Sequence, residues 1–345
     1  MAGTEHDGPA PWIVDGHLDL ATIGLCGRDL LAERAADDSG CVTIPALRRG
    51  GVGLVLATIF TERGGSPGDP VAYPEDDDGR AAEIAGRRQL DLYRDLEARG
   101  AIRLVRTAAE LPSGALRAGD PLPALLLMEC ADPIRTVDDA AWWFDAGVRI
   151  VGLAWARGSR AAGGNAAPGG LSPLGRELVA AFDELGIIHD VSHLSSAGFD
   201  ELLARATGAV VASHSNCRAL MRRADGAEGG ERHLSDAQIR ALAARDAVIG
   251  LNLFGRFLHP SERATIDDCV AHLEHVAAVA GTRRMAALGS DLDGGFGPAE
   301  LPEGVDDPER LPSLPAALAS RGWSAAEVEG FAHRNWLRLL RQALP

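Results

Sequence analysis

The chain has 345 residues, 46% of them hydrophobic, which is enough to bury one large core or the cores of two ordinary domains. Its 34 basic and 49 acidic residues give a net charge of −15, which argues against nucleic acid and anionic membrane surfaces as partners. The five cysteines are scattered and form no C-x-x-C pair, so we expect reduced thiols and a cytoplasmic location.

The N-terminal segment shows neither the basic nor the apolar part of a secretory signal, and we expect residues 1–11 to form a disordered tail. No apolar run reaches the ~18–20 residues that a membrane-spanning helix needs. Both observations favour a soluble protein that acts on a small molecule and has no membrane partner. A homodimer is compatible with the sequence.

Short apolar runs rich in β-branched residues alternate with helical patterns along the chain. The runs predict eight strands, at residues 12–14, 53–60, 124–128, 149–155, 186–191, 209–212, 247–254 and 285–289, and a ninth, shorter strand at 102–105. The intervening patterns predict helices at residues 79–99, 136–146, 173–185, 195–206, 235–245 and 266–280. The Gly-rich residues 157–170 follow the fourth strand, and we expect them to form a mobile flap over a functional site.

Continuous hydrophobic strands separated by helices indicate a parallel sheet that is covered on both faces. About eight such strands in a chain of this length suit a (β/α)8 barrel, the TIM barrel. An open doubly wound sheet is the alternative, but no Gly-x-Gly-x-x-Gly motif follows the first strand. We therefore predict that residues 1–345 form one α/β domain, a (β/α)8 TIM barrel. Polar side chains follow most of the strands and would meet at the top face of such a barrel: His17, Glu129, Trp155, His193, His214 and Asp291.

Three of the predicted strand ends carry side chains that bind metal ions. His17 and Asp19 follow the first strand, His193 follows the fifth and His214 follows the sixth. Imidazole and carboxylate groups are the usual ligands of zinc and similar ions. His17 and Asp19 are two residues apart on an extended segment, so their side chains point the same way. Taken singly, such residues are more often a structural histidine or a surface turn than metal ligands.

Five short motifs occur in one order along the chain: residues 15–19 (DGHLD), 128–129 (ME), 190–193 (DVSH), 213–216 (SHSN) and 289–294 (GSDLDG). Together they resemble the membrane dipeptidase (renal dipeptidase) family of the amidohydrolase superfamily. The connecting segments 169–176 and 234–239 also resemble this family, and the resemblance runs from about Val14 to Leu340. Any one motif is weak, whereas five in register are specific.

The resemblance implies a metal-dependent hydrolase with two zinc ions per chain. By motif, His17 and Asp19 would hold one ion, His193 and His214 would hold the other, and Glu129 would bridge them and take part in catalysis. A hydroxide that bridges the ions would attack the scissile amide. The implied substrate is a small dipeptide with a free C-terminal carboxylate.

The resemblance assigns two further residues and fails at a third. Asp291 matches the family's acid/base, and Arg232 matches an arginine that grips the substrate's terminal carboxylate. Trp155 stands where the family carries a histidine that contacts the substrate. An indole N–H donates one hydrogen bond but accepts no proton, so Trp155 is either a substrate-binding residue or a packing residue under the flap. There are therefore two alternatives to a dipeptidase. One is an enzyme that hydrolyses an N-acyl amino acid or a lactam, and the other is a catalytically silent metal-binding barrel.

Overall fold

A computed structural model describes residues 11–34, 39–66, 68–222 and 229–345. The tail predicted for residues 1–11 lies, except for Pro11, outside the described residues. Within the described part of the chain, no helix combines the length and the apolar character needed to cross a membrane.

Eight parallel strands form a closed barrel, because each pairs with the next and the last pairs with the first. The prediction of a (β/α)8 barrel is therefore confirmed. In chain order the strands are β1 (Ile13–Leu18), β2 (Val52–Phe60), β3 (Leu122–Glu129), β4 (Val148–Gly152), β5 (Ile188–Asp190), β6 (Val210–Ala212), β7 (Val248–Leu251) and β8 (Ala286–Leu288).

The ninth predicted strand is present as Ile102–Leu104, but it lies outside the ring. It pairs with the first residues of β3, where Ile102 stands beside Leu122. This pairing ends at Ala124, before β4 pairs with β3 from Leu126 onward, so the extra strand extends the sheet only at its amino-terminal end. It therefore plays no part at the carboxyl ends of the strands.

Helices surround the barrel. Two helices, 173–185 and 266–280, begin and end at the residues that the sequence predicts. The other four predicted helices begin and end within two residues of their predicted bounds. Serine side chains cap two of these helices: the hydroxyl of Ser172 accepts the N–H of Gly175, and that of Ser235 accepts the N–H of Gln238. The helices are Leu20–Leu25, Ile44–Arg49, Arg80–Ala98, Val137–Asp145, Pro173–Leu185, Ser196–Arg205, Asp236–Ala243, Ile266–Ala280, Ser313–Ser320, Ala325–Glu329 and Asn335–Ala343, with a π-helical turn at Gly330–Arg334.

The C-terminal helix Asn335–Ala343 closes the barrel at the amino-terminal end of the strands. Asn335 Nδ2 donates to the carbonyl oxygens of Arg283 and Ala286, which precede and begin β8. Trp336 and Leu340 join the apolar side chains that fill the barrel. With this end occupied, the polar residues at the other end of the strands face the open mouth of the barrel. The inner-facing strand residues are Val14, Leu54, Leu56, Leu125, Leu127, Ile150, Ile188, Val211, Val248 and Ala287.

A bulge in β1 directs a predicted ligand into the barrel. Two residues, Gly16 and His17, stand between paired positions of β1 where β2 has only Leu56. Leu56 faces the barrel interior, and both Gly16 and His17 share that side. Bulges of this kind re-aim side chains near functional sites.

The sequence predicts that His272 and His275, on the helix at 266–280, are surface residues, and this is wrong for His272. His272 is 1% exposed, its Nδ1 accepts the N–H of Cys217 and its Nε2 donates to the carbonyl oxygen of Leu258. The helical period places His272 on the same buried face as Val276. His275 is partly exposed and bonds to Asp236. The pair therefore fastens this helix to its neighbours.

Gly16→Ala should destabilise the fold. A Cβ at Gly16 would lie 2.3 Å from Trp336 Cζ2 and 2.8 Å from the carbonyl oxygen of Leu288. Such overpacking costs about 1–3 kcal/mol, which urea unfolding can measure. Gly114→Ala is the matched control, because a Cβ there would meet no atom within 4 Å. Equal stabilities of the two variants would contradict this packing.

Candidate metal centre

The carboxyl ends of the strands bring three imidazoles against one carboxylate. Because side chains alternate along a strand, the inner-facing position of Leu127 directs Glu129, the last residue of β3, to the barrel mouth. Glu129 Oε1 lies 3.0 Å from His193 Nε2 and 3.3 Å from His214 Nε2. Its Oε2 lies 3.6 Å from His17 Nε2. The four side chains are buried, so they form one desolvated cluster.

Two more carboxylates complete the cluster beside His17. The ligand atoms of His17, Asp19 and Asp291 lie within 4.8 Å of one another, and so do those of His17, Glu129 and His214. His193 joins the second group, because its Nε2 lies 2.9 Å from His214 Nε2. The structure therefore brings together every residue that the sequence predicts as a metal ligand.

The cluster has the chemistry of a cation site. His17 Nε2 and Glu129 Oε1 are buried, and neither makes a hydrogen bond of acceptable geometry with the described residues. The Nε2 atoms of His193 and His214 face each other. A divalent cation satisfies nitrogen lone pairs and carboxylate oxygens that converge in this way. The residues present therefore fit a metal ion.

The charge state of the imidazoles supports the same conclusion. Burial lowers the pKa of His193 to about 4 and that of His214 well below its usual value, so both are neutral at pH 7 and able to bind metal. Burial alone would also lower the pKa of His17, but the surrounding carboxylates, Glu129 above all, raise it to about 10. This excess of negative charge favours a cation at the cluster, either a proton on His17 or a metal ion.

Hydroxyl groups from neighbouring strands hold the ligands in place. The hydroxyl of Thr58, on β2, donates to Asp19 Oδ1. The hydroxyl oxygen of Ser213, just past β6, lies 3.2 Å from His17 Nδ1 and 2.7 Å from His214 Nδ1. Contacts of this type orient metal ligands before the ion binds.

The segment predicted to be a mobile flap forms a β-hairpin that fastens to a ligand. Ala162–Gly164 pairs antiparallel with Ala167–Leu171. At the tip, the Asn165 N–H donates to the carbonyl oxygen of His193, and Asn165 Oδ1 lies 3.0 Å from His193 Nδ1. The hairpin therefore borders the cluster of candidate metal ligands and also holds one of its members in place.

Asp291 is held against the cluster by its backbone and by an amide. Its φ of 60° is left-handed, and its N–H donates to the carbonyl oxygen of His17 at 3.1 Å. Asn252, just past β7, donates from Nδ2 to Asp291 Oδ2 at 2.8 Å. Burial raises the pKa of Asp291 above its usual range, and the nearby Asp19 adds to the effect. A carboxyl group poised in this way can both accept and return a proton.

Arg232 lies beside the cluster as a buried cation with a spare donor. Its Nη2 donates to the carbonyl oxygen of His214 at 2.7 Å, and its Nη1 donates to the hydroxyl of Ser215 at 3.3 Å. Its Nε is buried and has no hydrogen-bond partner among the described residues. The guanidinium lies 5.1 Å from the ring of Phe257. An anionic group would satisfy this side chain.

Trp155 borders the cluster from the side of β4. Its ring lies 6.0 Å from that of His193 and meets Phe60 edge to face at 5.2 Å. Both aromatic residues are partly exposed, so they form an apolar wall at the barrel mouth. This geometry suits both a packing residue and a residue that contacts a ligand.

A family model described as Membrane dipeptidase (Peptidase family M19) matches residues 10–344. The chain belongs to this family. The barrel that brings these residues together is also the fold of solved metallopeptidase structures similar to this chain.

Individual relatives agree with the family assignment. Over 202 residues the chain is 33% identical to an uncharacterized dipeptidase of Schizosaccharomyces pombe, covering 57% of this chain and 47% of that relative. The chain therefore spans about half the length of this curated relative. The structure of dipeptidase AC, a family M19 metallopeptidase, is 26% identical, with a TM-score of 0.80 over 97% of this chain and 99% of that one. A metallopeptidase from Rhodobacter sphaeroides, solved with a phosphinate mimic of the dipeptide L-Ala-D-Ala, is also 26% identical, with a TM-score of 0.80 over 97% and 100%.

The sequence analysis did not identify the residues that form hydrogen bonds to the candidate metal ligands and to Asp291. Thr58 and Asn252 are polar residues at the carboxyl ends of β2 and β7, so the rule that found Glu129 could also have found them. Ser213 lies inside a quoted motif but carries no metal-ligand signal of its own. Asn165 gave no signal, because only the folded hairpin brings it to His193.

Removing the charge of Glu129 should empty the centre. We expect purified wild-type protein to contain about two divalent ions per chain, and Glu129→Gln to lose much of both, because an amide cannot neutralise two dications. Elemental analysis after gentle purification measures this. Asp132→Asn is the matched control, because Asp132 is a buried carboxylate that bonds to Tyr73 and Arg160 instead of to the cluster. Full metal content in Glu129→Gln would contradict the bridging position.

Proposed function

We propose that this chain is a zinc-dependent dipeptidase that hydrolyses a small dipeptide with a free C-terminal carboxylate. The observation that carries the proposal is the position of Arg232, whose guanidinium is bonded to the backbone of His214. One small molecule can therefore present its carboxylate to the guanidinium and its amide to the metal cluster. The phosphinate mimic of L-Ala-D-Ala bound to the similar R. sphaeroides metallopeptidase supports a dipeptide as the ligand.

The proposed metal complement is two zinc ions, with His17 and Asp19 on one, His193 and His214 on the other, and Glu129 between them. When bound, the ions supply Lewis acidity, which polarises the scissile carbonyl and lowers the pKa of a water molecule. The neutral state of His193 and His214 supports this assignment, and so does His17 Nε2, which has no hydrogen-bond partner in the described part of the chain.

Asp291 is the residue that we assign to proton transfer. Its carboxylate lies within 4.8 Å of the ligand atoms of His17 and Asp19, next to the reacting amide in this proposal. There it takes a proton from the attacking water and delivers it to the leaving amine nitrogen. Asn252 keeps one oxygen of the carboxylate in place during both transfers.

Arg232 is the residue that we assign to substrate orientation. A planar guanidinium binds a carboxylate through parallel N–H donors, and the buried position of Arg232 makes that bond stronger than it would be in water. Binding of the terminal carboxylate fixes the distance from the substrate's C-terminus to the scissile bond. Substrates longer or shorter than a dipeptide would then misplace the amide.

Trp155 and Phe60 are expected to narrow the substrate range. Trp155 occupies the place of a polar histidine in the family, and it forms an apolar surface with Phe60 beside His193. We expect small or apolar side chains to be favoured next to the scissile bond, because a charged group there would lose water without gaining a partner. Hydrolysis of N-acyl amino acids or lactams, and binding without hydrolysis, remain the competing functions that the assays below separate.

Asp291→Asn should keep the metal ions and lose about 10²-fold or more in kcat, the usual size of a general acid/base contribution. Asp293→Asn is the matched control. The sequence predicts that Asp293 tolerates change because it lies in a turn, but its carboxylate accepts the N–H groups of Cys41 and Val42. We therefore expect Asp293→Asn to lower the unfolding temperature while keeping kcat closer to wild type. A kcat for Asp291→Asn within a few-fold of wild type would move the proton transfer to another group.

The carboxylate clamp should distinguish free dipeptides from their C-terminal amides. A charged hydrogen bond of this type is worth about 1.5–3 kcal/mol, or roughly 10–150-fold in kcat/KM. Arg232→Met should abolish that difference. Arg218→Met is the control, because Arg218 lies on the same loop and bonds to His233 and Ser196.

The assay compares dipeptides, matched amides, N-acyl amino acids and lactams with each variant. Equal rates on acids and amides by the wild type would refute the clamp. Turnover of N-acyl amino acids or lactams alone would establish the competing hydrolase function. Bound metal without turnover of any of these compounds would establish the silent barrel.

A further inference from the structure

We propose that Ser213 is a positioning residue that fixes the ring tautomers of two histidines at once, one from each of the two proposed metal sites. This inference rests on the proposed metal centre. It assigns to a single hydroxyl group the alignment of His17 on one ion and His214 on the other.

Three polar groups surround the Ser213 hydroxyl. Ser213 is fully buried, and its oxygen lies 2.7 Å from His214 Nδ1, 3.2 Å from His17 Nδ1 and 2.5 Å from Asp190 Oδ2. A fourth group, the hydroxyl of Ser192, is farther away at 3.4 Å. The three near partners occupy the hydrogen-bonding capacity of a hydroxyl group.

Counting protons settles the direction of each bond. A hydroxyl group has one proton to donate and two lone pairs to accept with. Asp190, as a carboxylate, can only accept, and charge-assisted bonds of this kind are the shorter and stronger ones, so the proton goes to Asp190. Both lone pairs of Ser213 are then left for the imidazoles. His17 and His214 must each carry a proton on Nδ1 to donate to them.

The consequence lies on the other side of each ring. A neutral imidazole with its single proton on Nδ1 presents a bare lone pair at Nε2, which is the form that binds metal. The two Nε2 atoms face opposite oxygens of Glu129, at 3.6 Å for His17 and 3.3 Å for His214. Without Ser213, either ring could carry its proton on Nε2 and donate to Glu129 instead. That tautomer has no lone pair for a metal ion.

Two variants test the tautomers by different routes. Ser213→Ala removes the oxygen atom that accepts a hydrogen bond from both imidazoles. Asp190→Asn is more conservative, because Asp190 Oδ1 accepts the N–H groups of Ser192 and Ser213 and the amide oxygen can keep both bonds. The amide nitrogen then faces the Ser213 oxygen and donates to it. The hydroxyl proton must turn toward an imidazole, which forces one ring into the wrong tautomer.

Ser290→Ala is the matched control. The hydroxyl of Ser290 also donates to a buried aspartate, Asp15, and it accepts the N–H of Leu292. Removing it costs the same kind of serine–aspartate bond without touching an imidazole. A general loss of packing would therefore affect both serine variants alike.

The experiment strips the purified enzyme of metal and titrates Zn²⁺ back against a competing chelating dye. We expect Ser213→Ala to bind both ions about 10–100-fold more weakly, the usual effect of losing an outer partner of a metal ligand, and Ser290→Ala to stay within about threefold of wild type. Asp190→Asn should weaken one ion more than the other. If Ser213→Ala does not fold, Asp190→Asn alone tests whether the Ser213 hydroxyl sets the tautomers of the two histidines.

A spectroscopic signature separates alignment from general structural damage. In metal-free protein with ¹⁵N-labelled histidine, His214 should carry its proton on Nδ1 in the wild type and on Nε2 in Ser213→Ala. Three results would each overturn the role of Ser213 in aligning both histidines. One is an unchanged His214 tautomer in Ser213→Ala, and another is wild-type zinc affinity in both Ser213→Ala and Asp190→Asn. The third is weaker binding of only one of the two ions in Ser213→Ala. A wild-type protein that binds no zinc would overturn the proposed metal centre as well.

Discussion

The rest of the site depends on the burial of one carboxylate, that of Glu129. This side chain is 7% exposed inside the mouth of a barrel, and a buried anion is stable only where cations or hydrogen-bond donors surround it. The chain supplies the guanidinium of Arg232 and three imidazoles, of which His193 and His214 are neutral, and the proposed zinc ions would add further positive charge. The charge that stabilises Glu129 is thus the charge that would activate water and attract an anionic substrate.

Backbone conformation serves the same cluster. Of the five described non-glycine residues with a positive φ, four lie just past the ends of β3, β5 and β8: Cys130, His193, Asp291 and Asp293. Such conformations cost of order 1–3 kcal/mol each and persist only where surrounding bonds hold them. Asn165 and Asn252 supply these bonds to His193 and Asp291. At His193 and Asp291 this left-handed backbone accompanies side chains that lie in the cluster around Glu129 and His17.

The loop after β4 both borders the proposed substrate site and holds one of the candidate metal ligands. It carries Trp155, which borders the proposed substrate site, and its hairpin carries Asn165, which holds the ligand His193. The hairpin packs tightly, because a Cβ at Gly164 would lie 2.0 Å from the carbonyl oxygen of Trp155. One tightly packed loop therefore connects the apolar wall to the ligand His193.

The sequence by itself determined the fold class and named the candidate metal ligands. Alternating strands and helices imply a barrel, and short motifs such as DGHLD place ligand types at strand ends regardless of distant contacts. Tertiary structure decided the rest, because the other bonds join residues far apart in the chain. The bulge that turns His17 inward depends on pairing with β2, the burial of His272 depends on helix packing, and Ser213 meets His17 across 196 positions of sequence. Local pattern cannot encode such partners, since each is set by how the closed barrel brings strand ends together.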